Sequence, residues 1–241
     1  MDAFIYTAMS GANQVQRSLG VHANNLANAQ TAGFRADLSN AQSAAVSGYG
    51  YDSRHQAVQA DDVVTQKSGD LTETGRALDV AIQGEGYFVV DSPDGAAYTR
   101  AGSFQIDGDG NLTSNGYPVR GEGGPIALPP YADVSIASDG TVSVLPQGGT
   151  QLQVVDKLLL AKPDASDLAK NEKGLLIARS GMDYPADDSV AVAPGHVEGS
   201  NVSAVEEMMH TMQLTRSFDM QMRLFKVADD IADGGNRLIR G

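Results

Sequence analysis

The chain has 241 residues, of which 41% are hydrophobic and 20% charged, with a mean hydropathy of −0.22. This is the profile of a folded soluble protein rather than a disordered or membrane-embedded one. Aromatics make up only 6%, with no Trp, so no dense aromatic core is expected, and 27 glycines argue for many tight turns. Cysteine is absent, which excludes both a disulfide framework and a thiolate site.

The formal net charge of −13 divides into zero over residues 1–45, −1 over residues 200–241 and therefore −12 over residues 46–199. An acidic middle repels phosphate backbones, so nucleic acid is excluded as a partner. Residues 1–14 lack a positive segment followed by an unbroken apolar run, so no cleavable signal is read there. No stretch approaches the roughly eighteen apolar residues that a membrane-spanning helix needs.

Residues 2–29 carry helical periodicity, with Ile5, Ala12, Leu19 and Leu26 recurring every seven positions and Ala8, Met9, Val15 and Ala23 between them. The stripe is narrow and built of small residues, and Thr31 and Gly33 supply a stop. Residues 35–75 are rich in Ala, Ser, Gln and Asp, show no sustained period and are interrupted by Gly48-Tyr49-Gly50-Tyr51. They read as an extended connector with room for a short hairpin.

From residue 76 to 199 short apolar runs alternate with turn residues such as Pro93-Asp94-Gly95, Asp107-Gly108-Asp109-Gly110-Asn111 and Ser138-Asp139-Gly140. Strands spaced in this way argue for an all-β domain of hairpins and meanders. The last segment opens on Ser203 and Glu206, a capping box, and its helical pattern runs to about Asp233 before Gly234-Gly235. Phe218, Phe225, Ala232 and Ile239 again lie seven apart, and Val205, Met208, Met209 and Met212 make the first two turns apolar.

The predicted fold class is therefore α+β: a helix over 1–34, a connector over 35–75, a β-rich domain over 76–199 and a helix over 200–241. The pattern admits two arrangements for the helices. They pack on the β-domain or on each other as an ordinary fold, or they form a coiled-coil-like domain that packs mainly against other copies.

No catalytic constellation emerges. His22, His55, His196 and His210 are scattered, with no second ligand at metal spacing. The Asp107–Asn111 run fails as a calcium loop, because Leu112 stands where Gly is needed and Pro118 where Glu is needed. Gly84-Glu85-Gly86 and Gly121-Glu122-Gly123-Gly124 lack the residues that complete a phosphate loop, and no nucleophile elbow is present. The carboxylate pairs Asp61-Asp62, Asp187-Asp188 and Asp229-Asp230 are sequence neighbours, and read as solvated surface. No catalytic, metal or cofactor residue is assigned.

Three strings nevertheless carry a resemblance. Residues 23–36, ANNLANAQTAGFRA, are similar to the N-terminal signature of flagellar rod and hook proteins. The run from Arg76-Ala-Leu-Asp-Val through Tyr98-Thr-Arg-Ala-Gly to Gly116-Tyr-Pro-Val resembles the start of the β-domain of that family. Val197-Glu-Gly-Ser-Asn-Val-Ser-Ala-Val-Glu-Glu-Met-Met resembles the opening of its C-terminal helix. The strings span the chain in the family's order. Met1-Asp-Ala-Phe, Gly121-Glu-Gly-Gly-Pro-Ile and Arg216-Ser-Phe-Asp-Met-Gln-Met resemble a proximal-rod member, with a distal-rod member as the closest competitor.

The resemblance implies a structural subunit, exported through the flagellar export apparatus without a cleaved signal. It implies placement in the periplasmic rod of the basal body, beside other rod proteins and copies of itself. The terminal helices would polymerise into the drive shaft that transmits torque and encloses the export channel. On that reading the assembly interface is expected at Ile5, Met9, Ala12, Leu19 and Leu26 of the first helix, and at Val205, Met209, Met212, Phe218 and Phe225 of the last. Asn24, Asn25 and Asn28 cap or cross-link the first helix end, or lie as polar residues on its face. Two other classes remain: an enzyme with an unfamiliar site, and a self-contained surface-binding β-module with protected helices.

Overall fold

Two long helices frame a series of short antiparallel strands. The computed structural model describes residues 2–46, 55–59, 63–171 and 173–240. The 48–51 run and the 61–62 carboxylates lie outside these residues, as does the side chain of Ile5. The chain divides into two compact units, the first formed by Met1–Ala27, Asp37–Val63 and Ser203–Gly241, the second by Asn28–Ala36 and Val64–Val202.

In the first unit, helix α1 spans Asp2–Ala27 and helix α2 spans Ala204–Arg240, 26 and 37 residues long. At 1.5 Å per residue they measure about 39 and 55 Å. The α2 start follows the capping signal: Ser203 Oγ accepts from the Glu206 amide at 3.4 Å, and the Ser203 carbonyl accepts from the Glu207 amide at 3.0 Å. Its end departs from the expectation. Gly234 and Gly235 do not stop the helix, which runs on to Arg240. Neither glycine takes the left-handed conformation that a terminating residue adopts, so each costs the helix only about 1 kcal/mol of propensity.

Between the helices in sequence, Ala41–Ala45 and His55–Gln59 pair as antiparallel strands in register from Ala41 opposite Gln59 to Ala45 opposite His55. This pair lies along α1, where the Ala57 amide donates to Ser10 Oγ at 3.4 Å. Ser39, just before it, bonds Ser18 at 3.0 Å and accepts from Gln14 at 3.4 Å.

The second unit is β-rich. Its largest sheet has five antiparallel strands in the order Leu160–Ala161, Tyr87–Ser92, Gly95–Thr99, Leu176–Ala178, Leu168–Lys170. Tyr131–Ile136, Thr141–Pro146 and Gln153–Lys157 form one three-stranded sheet, and Phe104–Ile106, Leu112–Ser114 and Tyr117–Pro118 another. Alternation decides which side chains go inward: Val134, Ile136, Val142 and Val144 join Phe88, Phe104, Leu112 and Leu158 in one buried cluster. Phe88 and Phe104 meet edge to face, with centroids 5.1 Å apart. The turn at Asp107 is a polar hairpin turn, its carboxylate accepting from the amides of Asp109 and Asn111 at 2.9 and 2.8 Å. Two pairings close the unit: Val80–Gln83 with Ala191–Pro194, and Leu71–Glu73 with His196–Glu198.

Candidate assembly surfaces and the signature segments

Within the first unit α1 and α2 run antiparallel. Near one end His22 Nδ1 donates to Glu207 Oε2 at 2.5 Å, Asn25 Nδ2 reaches Glu207 Oε1 at 3.4 Å, and the His22 and His210 rings stack with centroids 5.1 Å apart. Nearer the other end Gly11 faces the Gln221 carboxamide. Leu214, Phe218, Gln221, Phe225 and Ala228 recur in alternating steps of four and three, so they share one face of α2. Each of them is at least partly buried. Small residues on α1, Gly11, Ala12 and Val15, give that face a shallow surface to lie against.

A broad, mixed stripe outside that face carries further apolar side chains that have no such cover. Val205, Met209, Met212, Met220, Val227 and Ile231 are all exposed, with Val205 at 64%, Met212 at 56% and Ile231 at 61%. At 100° per residue they fall about 100–180° from the centre of the inner face, interspersed with Arg216, Arg223 and Asp230. The register of Gly11 with Gln221 sets the first residue of α1 opposite Asp230, so the stretch 231–240 runs past the end of α1.

The positions expected to form an interface therefore divide. Ala12 is buried, and Leu19, Leu26, Phe218 and Phe225 are half-buried; Met9, Val205, Met209 and Met212 are exposed. Asn24 is exposed on α1. Asn25, at 1% exposure, clips the backbone of Asp37: its Oδ1 accepts from the Asp37 amide at 3.0 Å and its Nδ2 donates to the Asp37 carbonyl at 2.9 Å. Asn28, in the second unit, is half-buried and accepts from the Thr31 hydroxyl at 3.1 Å.

The second unit holds a charged cluster that no spacing rule singles out. Arg35, Arg100 and Glu198 are 3%, 3% and 1% exposed. Glu198 Oε2 accepts from Arg100 Nη1 at 2.9 Å, while Oε1 accepts from the Gly69 amide at 2.9 Å and lies 2.8 Å from Arg35 Nη2. That last approach is a charge contact rather than an aligned hydrogen bond. Arg100 also donates to the Gly84 carbonyl at 2.6 Å and lies over the Tyr87 ring, and Arg35 donates to the carbonyls of Gln66 and Lys67. Burial lowers the pKa of Arg35, with Glu198 opposing and Arg100 adding to that shift.

Two further partners, His22 and Glu207, were equally invisible to the sequence pattern, because neither lies on an apolar repeat. For the buried triad a signal existed: Arg35, Arg100 and Glu198 each stand inside one of the three strings that carry the family resemblance.

Among the described residues no group of three or more His, Asp or Glu side chains is placed to hold a metal ion, and no helix is long and apolar enough to cross a membrane.

Family models match the chain in three places: flagella basal body rod protein over residues 5–35, flagellar hook protein FlgE/F/G D1 domain over 81–144, and flagellar basal body rod FlgEFG protein C-terminal over 193–238. The flagellar basal-body rod protein FlgF of Escherichia coli strain K12 is 39% identical over 248 residues, covering 99% of each chain. The chain belongs to the flagellar basal-body rod protein family and is of the F type.

The flagellar basal-body rod protein FlgF of Salmonella typhimurium strain LT2 is 38% identical, again over 99% of both chains. Flagellar basal-body rod protein FlgG of Bacillus subtilis strain 168 is 32% identical over 94% of this chain and 95% of its own. The F-type likeness is therefore the greater of the two. This rod protein is a structural subunit of the basal body, with other rod proteins as its partners, and not an enzyme. The buried triad of the second unit accordingly reads as architecture rather than as a reaction centre.

Proposed function

We propose that this rod protein polymerises through its terminal helices, and that the uncovered stripe of α2 is where neighbouring subunits dock. One observation carries the reading: α2 exposes large apolar side chains outside the face that α1 covers, among them Val205, Met209, Met212 and Ile231. A helix with a single partner keeps its far side polar. Here the far side carries methionines, whose flexible thioethers pack against irregular surfaces.

A coiled-coil-like arrangement of such helices, with a head-to-tail contact that does not close on itself, builds a helical assembly. In the rod this would form the torque-transmitting shaft around the export channel, with the acidic β-rich unit limiting lateral association. Delivery by the flagellar export apparatus and placement in the periplasm belong to the same reading and rest on family membership. The positions Ile5, Met9, Ala12, Leu19 and Leu26, with Val205, Met209, Met212, Phe218 and Phe225, remain its interface set. The exposed members contact neighbours, and the half-buried ones hold the helix pair in shape. Asn25 and Asn28 serve the turn after α1.

The test is a Met209→Asp, Met212→Asp double variant. Both side chains are exposed, so the isolated chain keeps its fold and its melting temperature within a few degrees. Docking would bury two unpaired carboxylates and so be lost. Basal bodies purified from cells whose only copy is this variant should lack the subunit, and the cells should not swim. Normal incorporation with normal motility would overturn the proposal.

A further inference from the structure

Three segments of the second unit, far apart in sequence, are laid side by side around the buried triad. The Gly33 amide donates to the Glu198 carbonyl at 2.8 Å, the Asn201 amide to the Phe34 carbonyl at 3.3 Å, and the Gly199 amide to the Asp70 carbonyl at 2.8 Å. The Asn201 side chain completes the stitching. Its Oδ1 accepts from the Ala36 amide at 2.8 Å and its Nδ2 donates to the Lys67 carbonyl at 2.8 Å. Residues 33–36, 66–70 and 198–201 thus hold one another, across separations of up to 165 residues.

The charge count makes this joint unusual. Two guanidiniums and one carboxylate are enclosed together, the guanidiniums also meeting carbonyl dipoles and an aromatic face, while the exposed Glu85 acts on Arg100 without a salt bridge. Removing one member of a buried ion pair leaves the rest uncompensated, which is strongly destabilising. Without Glu198, docking residues 33–36 would enclose Arg35 beside Arg100 with no buried counter-charge. Without Arg35, the docked Glu198 loses one of its two cations. Residues 33–36 docked without Glu198 are therefore the costly partial state, whereas Glu198 without Arg35 keeps Arg100 as a one-to-one partner.

We propose that the Arg35–Glu198–Arg100 triad is a completion lock, which couples docking of the N-terminal signature segment to docking of residues 196–202. Neither segment is firmly held until both are in place. A chain that emerges N-terminus first would leave Arg35 without its buried counter-charge until Glu198 arrives, so the joint closes late, although Lys170 already holds the Arg35 carbonyl. That use in assembly rests on the rod reading above, whereas the coupling itself is a property of the isolated chain.

The experiment is native-state amide hydrogen exchange on the full-length chain, comparing wild type with Glu198→Gln and Arg35→Met. Coupling is reciprocal, so each substitution should loosen the segment it does not belong to. In Glu198→Gln the amide of Gly33 should exchange on the order of 100-fold faster, and in Arg35→Met those of Gly199 and Asn201 should accelerate by a similar factor. Amides of Val89, Phe104 and Leu112, in the strand core, should keep their protection. Acceleration confined to the substituted segment would overturn the proposal, because the triad would then be a local contact. So would equal acceleration at every amide of the unit, which would make it a contributor to global stability alone. Should Arg35→Met fail to fold, Arg35→Lys keeps the charge while losing the forked donor, and the same correlated pattern is required at smaller amplitude. No measurement of incorporation enters this test, so its failure leaves the polymerisation proposal standing.

Discussion

Asn25 offers the sharpest test of how the first unit is held. Its carboxamide makes two hydrogen bonds to the backbone of Asp37, at 3.0 and 2.9 Å, and sits 3.4 Å from Glu207 on α2. The residue is 1% exposed, so water does not replace those bonds when the side chain is removed. Each is worth about 1 kcal/mol net, and losing both at a buried site brings the cost of Asn25→Ala to about 2–3 kcal/mol. At about 1.4 kcal/mol per factor of ten, the Asp37 amide should exchange with solvent at least ~30-fold faster. Hydrogen exchange by NMR reads that amide directly. Asn25→Asp discriminates further. It keeps the acceptor for the Asp37 amide but loses the donor and sets a second carboxylate against Glu207, so it should be worse than Asn25→Ala. If Asp37 protection changes by less than about twofold in Asn25→Ala, or if Asn25→Asp behaves as wild type, the clip is not what holds this turn.

The two faces of α2 should respond differently to truncation. Phe218→Ala, on the half-buried inner face, should cost about 2 kcal/mol in chemical denaturation of the helical unit, and Met212→Ala on the exposed face within about 0.5 kcal/mol. Gly33 takes φ +69° and a Cβ there would lie 2.3 Å from the Ala101 amide nitrogen, whereas Gly75 takes φ +70° with open space around it. Gly33→Ala should therefore lower stability by about 3 kcal/mol or more, against about 1 kcal/mol for Gly75→Ala, as urea midpoints would show. Asp79 is buried, which raises its pKa, but hydrogen bonds from Thr74, Arg76 and Ser103 outweigh that and hold it below the usual carboxylate range. A carboxyl whose folded pKa is depressed stabilises fully above its unfolded value, near 3.9, and loses that contribution as pH falls through the folded value. Asp79→Asn should thus be less stable than wild type at pH 7, with a shallower loss of urea midpoint below about pH 4.

The helices and the β-rich centre were legible because their signals are local. A stripe of Ala12, Leu19 and Leu26, a Ser203 cap and turns such as Asp107–Asn111 each specify their conformation within a few residues. The same locality misled at Gly234 and Gly235. Glycine stops a helix by adopting left-handed backbone, and nothing in a residue's identity says whether it will; here both stay helical. The methionines of α2 were legible as apolar, but their side of the helix was not. Periodicity shows that a face exists, and telling covered from uncovered apolar residues on one helix needs the position of α1.

The candidate sites divide along the same line. The family, the terminal helices, the β-rich middle and the lack of any thiolate or disulfide could be read along the chain, since each follows from residue type or short-range spacing. Only the tertiary structure decided that Asn25 clips Asp37, that His22 reaches Glu207 on α2, and that Arg35, Arg100 and Glu198 share one buried site. Those pairings span from 12 to 185 residues. The free energy of a buried charge depends on which partner the fold brings within about 3 Å, and the order of residues along the chain does not carry that distance.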